Sequence, residues 1–346
     1  MLLSAPTEVF WCVTNQCNLN CRFCLSSSTR FKQADELTPQ QREFVLQELI
    51  DNKILKVYLT GGEPMLCPEL MFFIKQLRKS GIFIELTTNA TLLNEEKICR
   101  LIDYDTNRVQ ISLNGANEET NDLLMGNSYR KIWKNLALLQ KHGLRTHVKV
   151  TVVSQNIFEI PALVQKLTHI GINHIDISEV HPLGRAFENW QLLKVEPDEL
   201  TLLRETIMEL QRKTGISLSF HSPTLQLLED RIPARCSAGQ SDASSCQILS
   251  DGNVIPCAFA LVWDVKNNIM DGGLRECWQG LKKYQLFQNP DLLQGKCATC
   301  YKKADCAGGC RAIAYLFSGE IWGDYPFCPL TKENVHYEQQ EKVAAA

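Results

Sequence analysis

Short runs of β-branched and apolar residues alternate along the chain with longer stretches in which Leu, Ile and Phe recur at helical spacing. The runs Val9–Val13, Leu55–Leu59, Phe83–Thr87, Val109–Leu113, His147–Val153 and His174–Ser178 have the length and composition of buried strands. Between them, Pro39–Asp51, Pro68–Ser80, Glu95–Ile102, Tyr129–His142 and Pro161–Gly171 read as helices, three of them opening on Pro, with Gly81, Gly143 and Gly171 near helix ends. Repeated strand–helix units predict an α/β fold around a parallel sheet. Six units are two short of a closed eight-fold barrel, so the expectation is a partial (β/α)6 TIM-like barrel with its chemistry at the C-terminal strand ends. A doubly wound open sheet has the same periodicity. From about Ser222 the pattern gives way to irregular Cys- and Gly-rich sequence, which predicts a core domain over 1–222 and a small Cys-rich domain over 223–346. The second has little apolar core of its own, so bound metal is expected to supply much of its folding free energy.

Composition narrows the function. In 346 residues, 36 Lys and Arg stand against 39 Asp and Glu, a net charge of −3 that provides no global field for nucleic acid. No apolar run approaches the roughly 20 residues that span a bilayer, and the start of the chain lacks the pattern of a signal peptide. A cytoplasmic location with reduced thiols is therefore expected. In that setting 15 cysteines point to metal rather than disulfides.

Cys17, Cys21 and Cys24 form a C-x3-C-x2-C run directly after the first predicted strand. Three thiolates on one loop wrap a single metal centre and leave one position open, for water on zinc or for a small molecule on a [4Fe-4S] cluster. The next strand ends in Gly61-Gly62-Glu63-Pro64, where glycines allow close backbone approach and Glu63 can accept from an ammonium group. Thr87-Thr88-Asn89-Ala90 and Ser112-Leu113-Asn114-Gly115 follow the third and fourth strands. Together these residues resemble, in order, the cysteine run, GGEP element, T-x-N-G turn and S-L-D-G turn of the radical S-adenosylmethionine (SAM) superfamily. The departures are Ala90 for Gly, which is strained if the backbone there needs a positive φ, and Asn114 for Asp, which removes a charge. Val180-His181-Pro182-Leu183-Gly184-Arg185-Ala186, after the sixth strand, resembles a stretch lining the adenine side.

The resemblance implies that Cys17, Cys21 and Cys24 hold a [4Fe-4S] cluster, and that Gly61, Gly62, Glu63, Pro64, Asn89, Ser112 and Asn114 bind SAM. It also implies that reductive cleavage of SAM yields a 5′-deoxyadenosyl radical that removes a hydrogen atom from the substrate. Cys67, three residues beyond the GGEP turn, is the candidate catalytic thiol, able to return a hydrogen atom to a substrate radical. The plainer reading is a packed core thiol.

The C-terminal cysteines read C-x15-G-x4-C from Cys236 through Gly252 to Cys257, then C-x2-C-x5-C-x3-C from Cys297 through Cys300 and Cys306 to Cys310, then Cys328. Zinc-ribbon spacing is one reading. Following the first motifs, the array resembles the SPASM extension of radical SAM enzymes. That resemblance implies two auxiliary [4Fe-4S] clusters, one on Cys236, Cys257 and Cys310 and one on Cys297, Cys300, Cys306 and Cys328. Cys246 is the expected fourth ligand of the first; without it, that cluster keeps an iron open to substrate. The cofactors implied are SAM and three [4Fe-4S] clusters, with an electron donor such as flavodoxin or ferredoxin.

The remaining residues carry less chemistry. Trp11, Phe23 and Tyr58 flank the first motifs and are expected to wall the cluster from solvent. The histidines show no H-x-H or H-x-x-x-H spacing, and only His181 falls near the predicted active face. The expected activity is hydrogen-atom abstraction from a ribosomally made peptide or a protein side chain. The alternative is dehydrogenation, epimerisation or decarboxylation of a small molecule. Because Cys17 comes so early, a leader peptide is expected to need a separate recognition protein, or none.

Overall fold

The computed structural model describes residues 3–230, 233–236, 238, 243–328 and 330. They form two units, one containing the chain up to Ser222 with Ala238–Tyr284, the other Pro223–Ser237 with the chain from Gln285 on.

The first unit is built on one sheet. Its strands are β1 (Glu8–Cys12), β2 (Lys56–Thr60), β3 (Phe83–Thr88), β4 (Arg108–Ser112), β5 (Thr146–Val152), β6 (His174–Glu179), β7 (Ser217–His221), β8 (Ser245–Ile248) and β9 (Val254–Ile255). They are arranged in the order β7-β6-β5-β4-β3-β2-β1-β8-β9, all parallel except β9 against β8. Helices α1 (Pro39–Asp51), α2 (Leu70–Lys79), α3 (Glu95–Asp103), α4 (Glu118–Met125), α5 (Tyr129–Lys141) and α6 (Ile160–His169) cross between successive strands. Side chains such as Ser178 on β6 and Gln247 on β8, near opposite ends of the order, line one cavity, so the sheet curls into an open barrel.

Three strands go beyond the expected six. β7 and β8 are short and mostly polar, Ser-Leu-Ser-Phe-His and Ser-Cys-Gln-Ile, and lack the apolar runs that marked the others. β8 pairs with β1, Glu8 opposite Ser245 and Trp11 opposite Ile248. The helix Ile269–Gly280 packs on α1, with Leu274 N–H donating to Glu48 Oε2. The described residues 243–284 thus fold with the core rather than with the Cys-rich remainder, unlike the expected division at 222.

Strand parity organises the core. Side chains alternate between the faces of a strand, and Val9, Trp11, Val57, Leu59, Ile84, Leu86, Val109, Ile111, Val148, Val150, Ile175 and Ile177 all turn one way and are fully buried. Leu49, Phe73, Ile74, Leu77, Ile98, Leu101, Leu136 and Leu139 are among the buried positions of the covering helices. Trp11 lies 4.8 Å from the Phe73 ring, on the helix side, so it does not wall the cluster as expected.

The opposite parity is polar. Near the strand starts, Glu85 pairs with Lys56 at 3.1 Å, with Arg108, and with His147 at 3.4 Å, while Tyr58 donates to Glu8 at 2.9 Å. Tyr58 stacks on Phe10 at 4.0 Å in this floor and is likewise no cluster wall. Among such partners a net gain is small, but removing one costs about 3–5 kcal/mol, because a charge is left buried alone.

Burial pushes the pKa of His147 down to about 4, against the pull of Glu85 and, more weakly, Asp176. The folded value lies below the unfolded one, near 6.5. The unfolded chain therefore binds the extra proton in between, and stability is lost as pH falls. The thermal midpoint, followed by calorimetry, is expected to fall more steeply between about pH 6.5 and 4 in the wild type than in His147→Gln; parallel curves would contradict this.

Candidate active site and cluster-binding segments

The loop after β1 is held from four sides. Buried Glu36 accepts from Thr14 Oγ1 at 2.9 Å and from Asn15 N–H at 2.8 Å. The Gly61-Gly62 turn donates back through Gly62 N–H to Thr14 O and Glu63 N–H to Gln16 O, both at 2.8 Å. A β carbon on Gly62 would lie 2.4 Å from Gln16 O, and one on Gly61, whose φ is +147°, 2.2 Å from Thr14 O. The glycines thus serve the approach of one loop to another. From β3, Asn89 donates to Asn18 at 3.0 Å and to the Cys17 sulfur at 4.0 Å.

The fourth side comes from the loop after β6. Arg185 donates through Nε to Cys21 O and through Nη1 to Ser28 O, both at 2.8 Å, and its backbone N–H to Cys24 O at 3.0 Å. Gly184, at φ +53°, packs where a β carbon would meet Leu25 O at 2.4 Å. The family resemblance implied that this stretch lines the adenine side; the Arg185 anchorage carries no signal in spacing.

The three thiols feel one another. Burial pushes Cys17 up to about 11, with Glu63 and Cys24 adding and Arg185 opposing. It pushes Cys21 up to about 12, with Cys24 and Cys17 adding and Arg185 opposing. Cysteines that feel one another's charge beside a guanidinium suit a centre that takes them as thiolates. The donor set fits a three-cysteine iron–sulfur cluster with one open position.

The turns at the strand ends are more committed than their motifs suggest. Glu63 is fully buried, accepts from Met65 N–H, Thr88 Oγ1 and Asn89 N–H at 3.0, 2.6 and 2.8 Å, and has its pKa raised by burial against those three donors. A carboxylate has about four lone-pair sites, so about one remains for an ammonium donor. Pro64 is buried at the start of the turn that follows. Ala90 adopts φ +61°, so the strain anticipated there is present. Asn114 is 1% exposed; its Oδ1 accepts from Thr151 N–H at 2.6 Å and its Nδ2 donates to Met125 Sδ at 3.1 Å. Its amide ties β4 to β5 and α4, and Ser112 stands beside Lys149 in the ladder.

A cavity of about 640 Å³ opens at this end of the sheet, lined by Cys21, Cys24 and Phe23 from the loop and Gly61 from the β2 turn. Cys12, Lys149, Thr151, Ser178, His181, Gln247 and Asp251 also line it. Cys67 does not: its thiol donates to Glu69, which pairs with Arg42 at 2.8 Å, beside α1 and α2. Burial pushes it up to about 12. Besides the cysteines of the loop, the thiol in the wall is Cys12, which belongs to no motif; the parity of β1, which sends Glu8, Phe10 and Cys12 inward, was the available signal.

In the second unit Cys297, Cys300, Cys306 and Cys328 line one pocket. Lys302 N–H donates to Cys300 Sγ at 3.4 Å and Gly308 N–H to Cys306 Sγ at 3.3 Å. Ala307, Gly308 and Gly309 follow one another at φ +47°, +77° and +71° and bend the chain between Cys306 and Cys310. This donor set fits a four-cysteine cluster. Arg311, fully buried, donates to the carbonyls of Gly308, Gly309, Ile321 and Gly323. Burial lowers its pKa while Cys297, Cys310, Cys236 and Cys306 oppose, which puts a cation among the thiols. Cys257 belongs to the first unit, as does Cys246, which faces the helix side of β8 and feels Cys277, with burial raising its pKa. That parity turns Cys246 away from the cavity face and toward the helix side.

Comparison with known proteins agrees with this construction. Residues 11–167 match the radical SAM superfamily and residues 236–301 the iron–sulfur cluster-binding domain SPASM. The chain is 27% identical to the AdoMet-dependent heme synthase of Methanosarcina barkeri, over 94% of this chain and 97% of that one. It is 26% identical to the PqqA peptide cyclase of Gluconobacter oxydans, over 98% and 94%. Its fold superposes on Streptococcus suis SuiB bound to SAM with a TM-score of 0.77 at 20% identity, covering 95% of this chain and 78% of SuiB. The chain is a radical SAM enzyme with a SPASM domain, and its cofactors are SAM and [4Fe-4S] clusters.

Two substitutions test the segments separately. Gly62→Ala is expected to destabilise the core by about 2–4 kcal/mol, since backbone must move to admit the methyl group, with iron lost from the first site. Arg311→Met is expected to leave the first cluster and deplete auxiliary iron, measured by iron analysis and electron paramagnetic resonance. Full auxiliary iron in Arg311→Met would contradict the second.

Proposed function

We propose that the protein modifies a ribosomally made peptide or a protein side chain, beginning with hydrogen-atom abstraction. The observation that carries this reading is that the cysteine loop and the polar inner wall of β5 and β6 border one cavity, so a substrate group held on that wall lies beside the cofactor segment. Similarity to a PqqA peptide cyclase over nearly the whole chain supports a peptide, as does a fold like that of SuiB, which has been solved bound to precursor peptide SuiA.

Cys17, Cys21 and Cys24 would hold the first cluster, on which bound SAM supplies the 5′-deoxyadenosyl radical. Gly61, Gly62, Glu63 and Asn89 fix that loop, and Glu63 keeps an acceptor site for the SAM ammonium group. Phe10, Phe23, Leu25 and Leu261 supply apolar surface that limits water in the cavity. Cys297, Cys300, Cys306 and Cys328 would hold an auxiliary cluster, with Cys236, Cys257 and Cys310 supplying ligands to another. A flavodoxin- or ferredoxin-like donor would deliver electrons and a separate protein would present any leader peptide. A cytoplasmic location fits the reduced thiols; no described helix is long and apolar enough to cross a membrane.

The relative named as a heme synthase favours a second reading, in which the substrate is a small molecule. Anaerobically reconstituted protein, given SAM, a reductant and size-fractionated extract of its source cells, separates the two. Stimulation of 5′-deoxyadenosine formation that protease treatment destroys supports the peptide; protease-resistant stimulation by the small fraction establishes the alternative. Replacing Cys17, Cys21 and Cys24 together by Ala is expected to abolish 5′-deoxyadenosine formation and lower iron from about twelve to about eight per chain. Retained SAM cleavage would overturn the cluster assignment.

A further inference from the structure

The inward parity of β5 places Lys149 in the wall of the cavity, where it is the only lysine or arginine among the lining residues. Its Nζ donates to the Ser178 hydroxyl. Asp176 is the acid whose field reaches it, and that carboxylate is taken up by Ser219 and by His147 and His174, at 3.5 and 3.4 Å. Burial lowers the Lys149 pKa against the field of Asp176. An ammonium enclosed with a hydroxyl for a partner is poorly compensated until a counter-charge arrives.

The surroundings favour an anion. Thr151 and Ser178 add hydroxyls to the same wall. Burial first, and Lys149 next, push His181 down to about 4, so its ring is neutral at physiological pH and offers an N–H without a competing charge. The cavity's own acids are engaged elsewhere: Glu179 accepts from Ser222 at 2.7 Å, and Asp251 from the backbone and side chain of Asn253 at 2.9 and 2.8 Å.

We propose that Lys149 is the carboxylate-binding residue of this cavity, its ammonium pairing with an acidic group of the substrate or with the methionine carboxylate of SAM. Both sources share one chemistry, a charge-assisted hydrogen bond to a carboxylate oxygen. The structure keeps both open for definite reasons. Ser112, next to Lys149 in the ladder, lies in the turn that resembles a SAM-binding element, whereas Asn114 in the same turn is consumed by Thr151 and Met125. β5 is separated from the β2 turn by β3 and β4, and borders β6, whose Ser178 shares the cavity wall with Lys149. The proposal rests on the reading that SAM and substrate meet in this cavity.

The test uses the full-length, anaerobically reconstituted protein as wild type, Lys149→Met and Lys149→Arg. Equilibrium binding of SAM and of decarboxylated SAM, without turnover, forms the first arm. If the partner is SAM, Lys149→Met weakens SAM binding about 10- to 100-fold, leaves decarboxylated SAM unchanged, and Lys149→Arg recovers much of the loss. The second arm compares a synthetic peptide pool rich in Asp and Glu with the same pool carrying Asn and Gln, read as stimulation of 5′-deoxyadenosine formation. If the partner is the substrate, SAM binding is unaltered, and the wild-type preference for the acidic pool vanishes in Lys149→Met and persists in Lys149→Arg. Wild-type SAM binding in Lys149→Met at full iron content, together with an unchanged or absent acidic preference, overturns the proposal. If no peptide pool stimulates the wild type, the peptide reading fails by itself, and the SAM arm still judges Lys149.

Discussion

The alternation of side chains across a strand governs this molecule more than any single contact. With every central strand covered by helices on one side, the apolar set must face outward and whatever remains must face the interior of the curl. Here the remainder is charged and polar. Near the strand starts those residues neutralise one another around Glu85 and close the floor. Toward the strand ends Lys149, Thr151 and Ser178 leave room for a cavity. Floor and cavity are two consequences of one parity rule.

Above that floor, the cysteine loop has little regular structure of its own and borrows its shape. Main-chain groups of the Gly61-Gly62 turn, the amide of Asn89, the carboxylate of Glu36 and the guanidinium of Arg185 fix it from separate elements. A loop gathered this way keeps three cysteines within reach of one another's charge although burial and that charge resist the ionisation of Cys17 and Cys21. The second unit uses a comparable device, with buried Arg311 bonded to four carbonyls among the cysteines.

Much of this was legible in the chain. The six central strands and the crossing helices followed from apolar periodicity, and the cofactor segments from cysteine spacing and glycine turns. Roles that depend on parity or on distant partners were not. Cys67 looked close to the site because it follows the GGEP turn, but its thiol meets Glu69 beside the helices. Cys12 belongs to no motif and lines the cavity. Trp11 was displaced from its expected role by the one-residue alternation, which places it on the helix side; Cys246 shares that parity. β7 and β8 escaped notice because strands with few apolar residues leave no run to detect. Asn114 kept the shape of a ligand-binding turn while its amide was taken up by the strand beside it.

The pairing of β8 with β1 bears on how the chain can be divided. The backbone passes from the first unit to the second after Ser222, returns at Ala238 and leaves again after Tyr284. The segment matched as an iron–sulfur domain, 236–301, therefore straddles that last crossing. No single cut yields two self-sufficient pieces: truncation after Ser222 would strip β8 from the sheet, leaving a bare, hydrogen-bond-hungry edge on β1 immediately below the cysteine loop. The chain is laced through both units in sequence, so no cut at one peptide bond separates them.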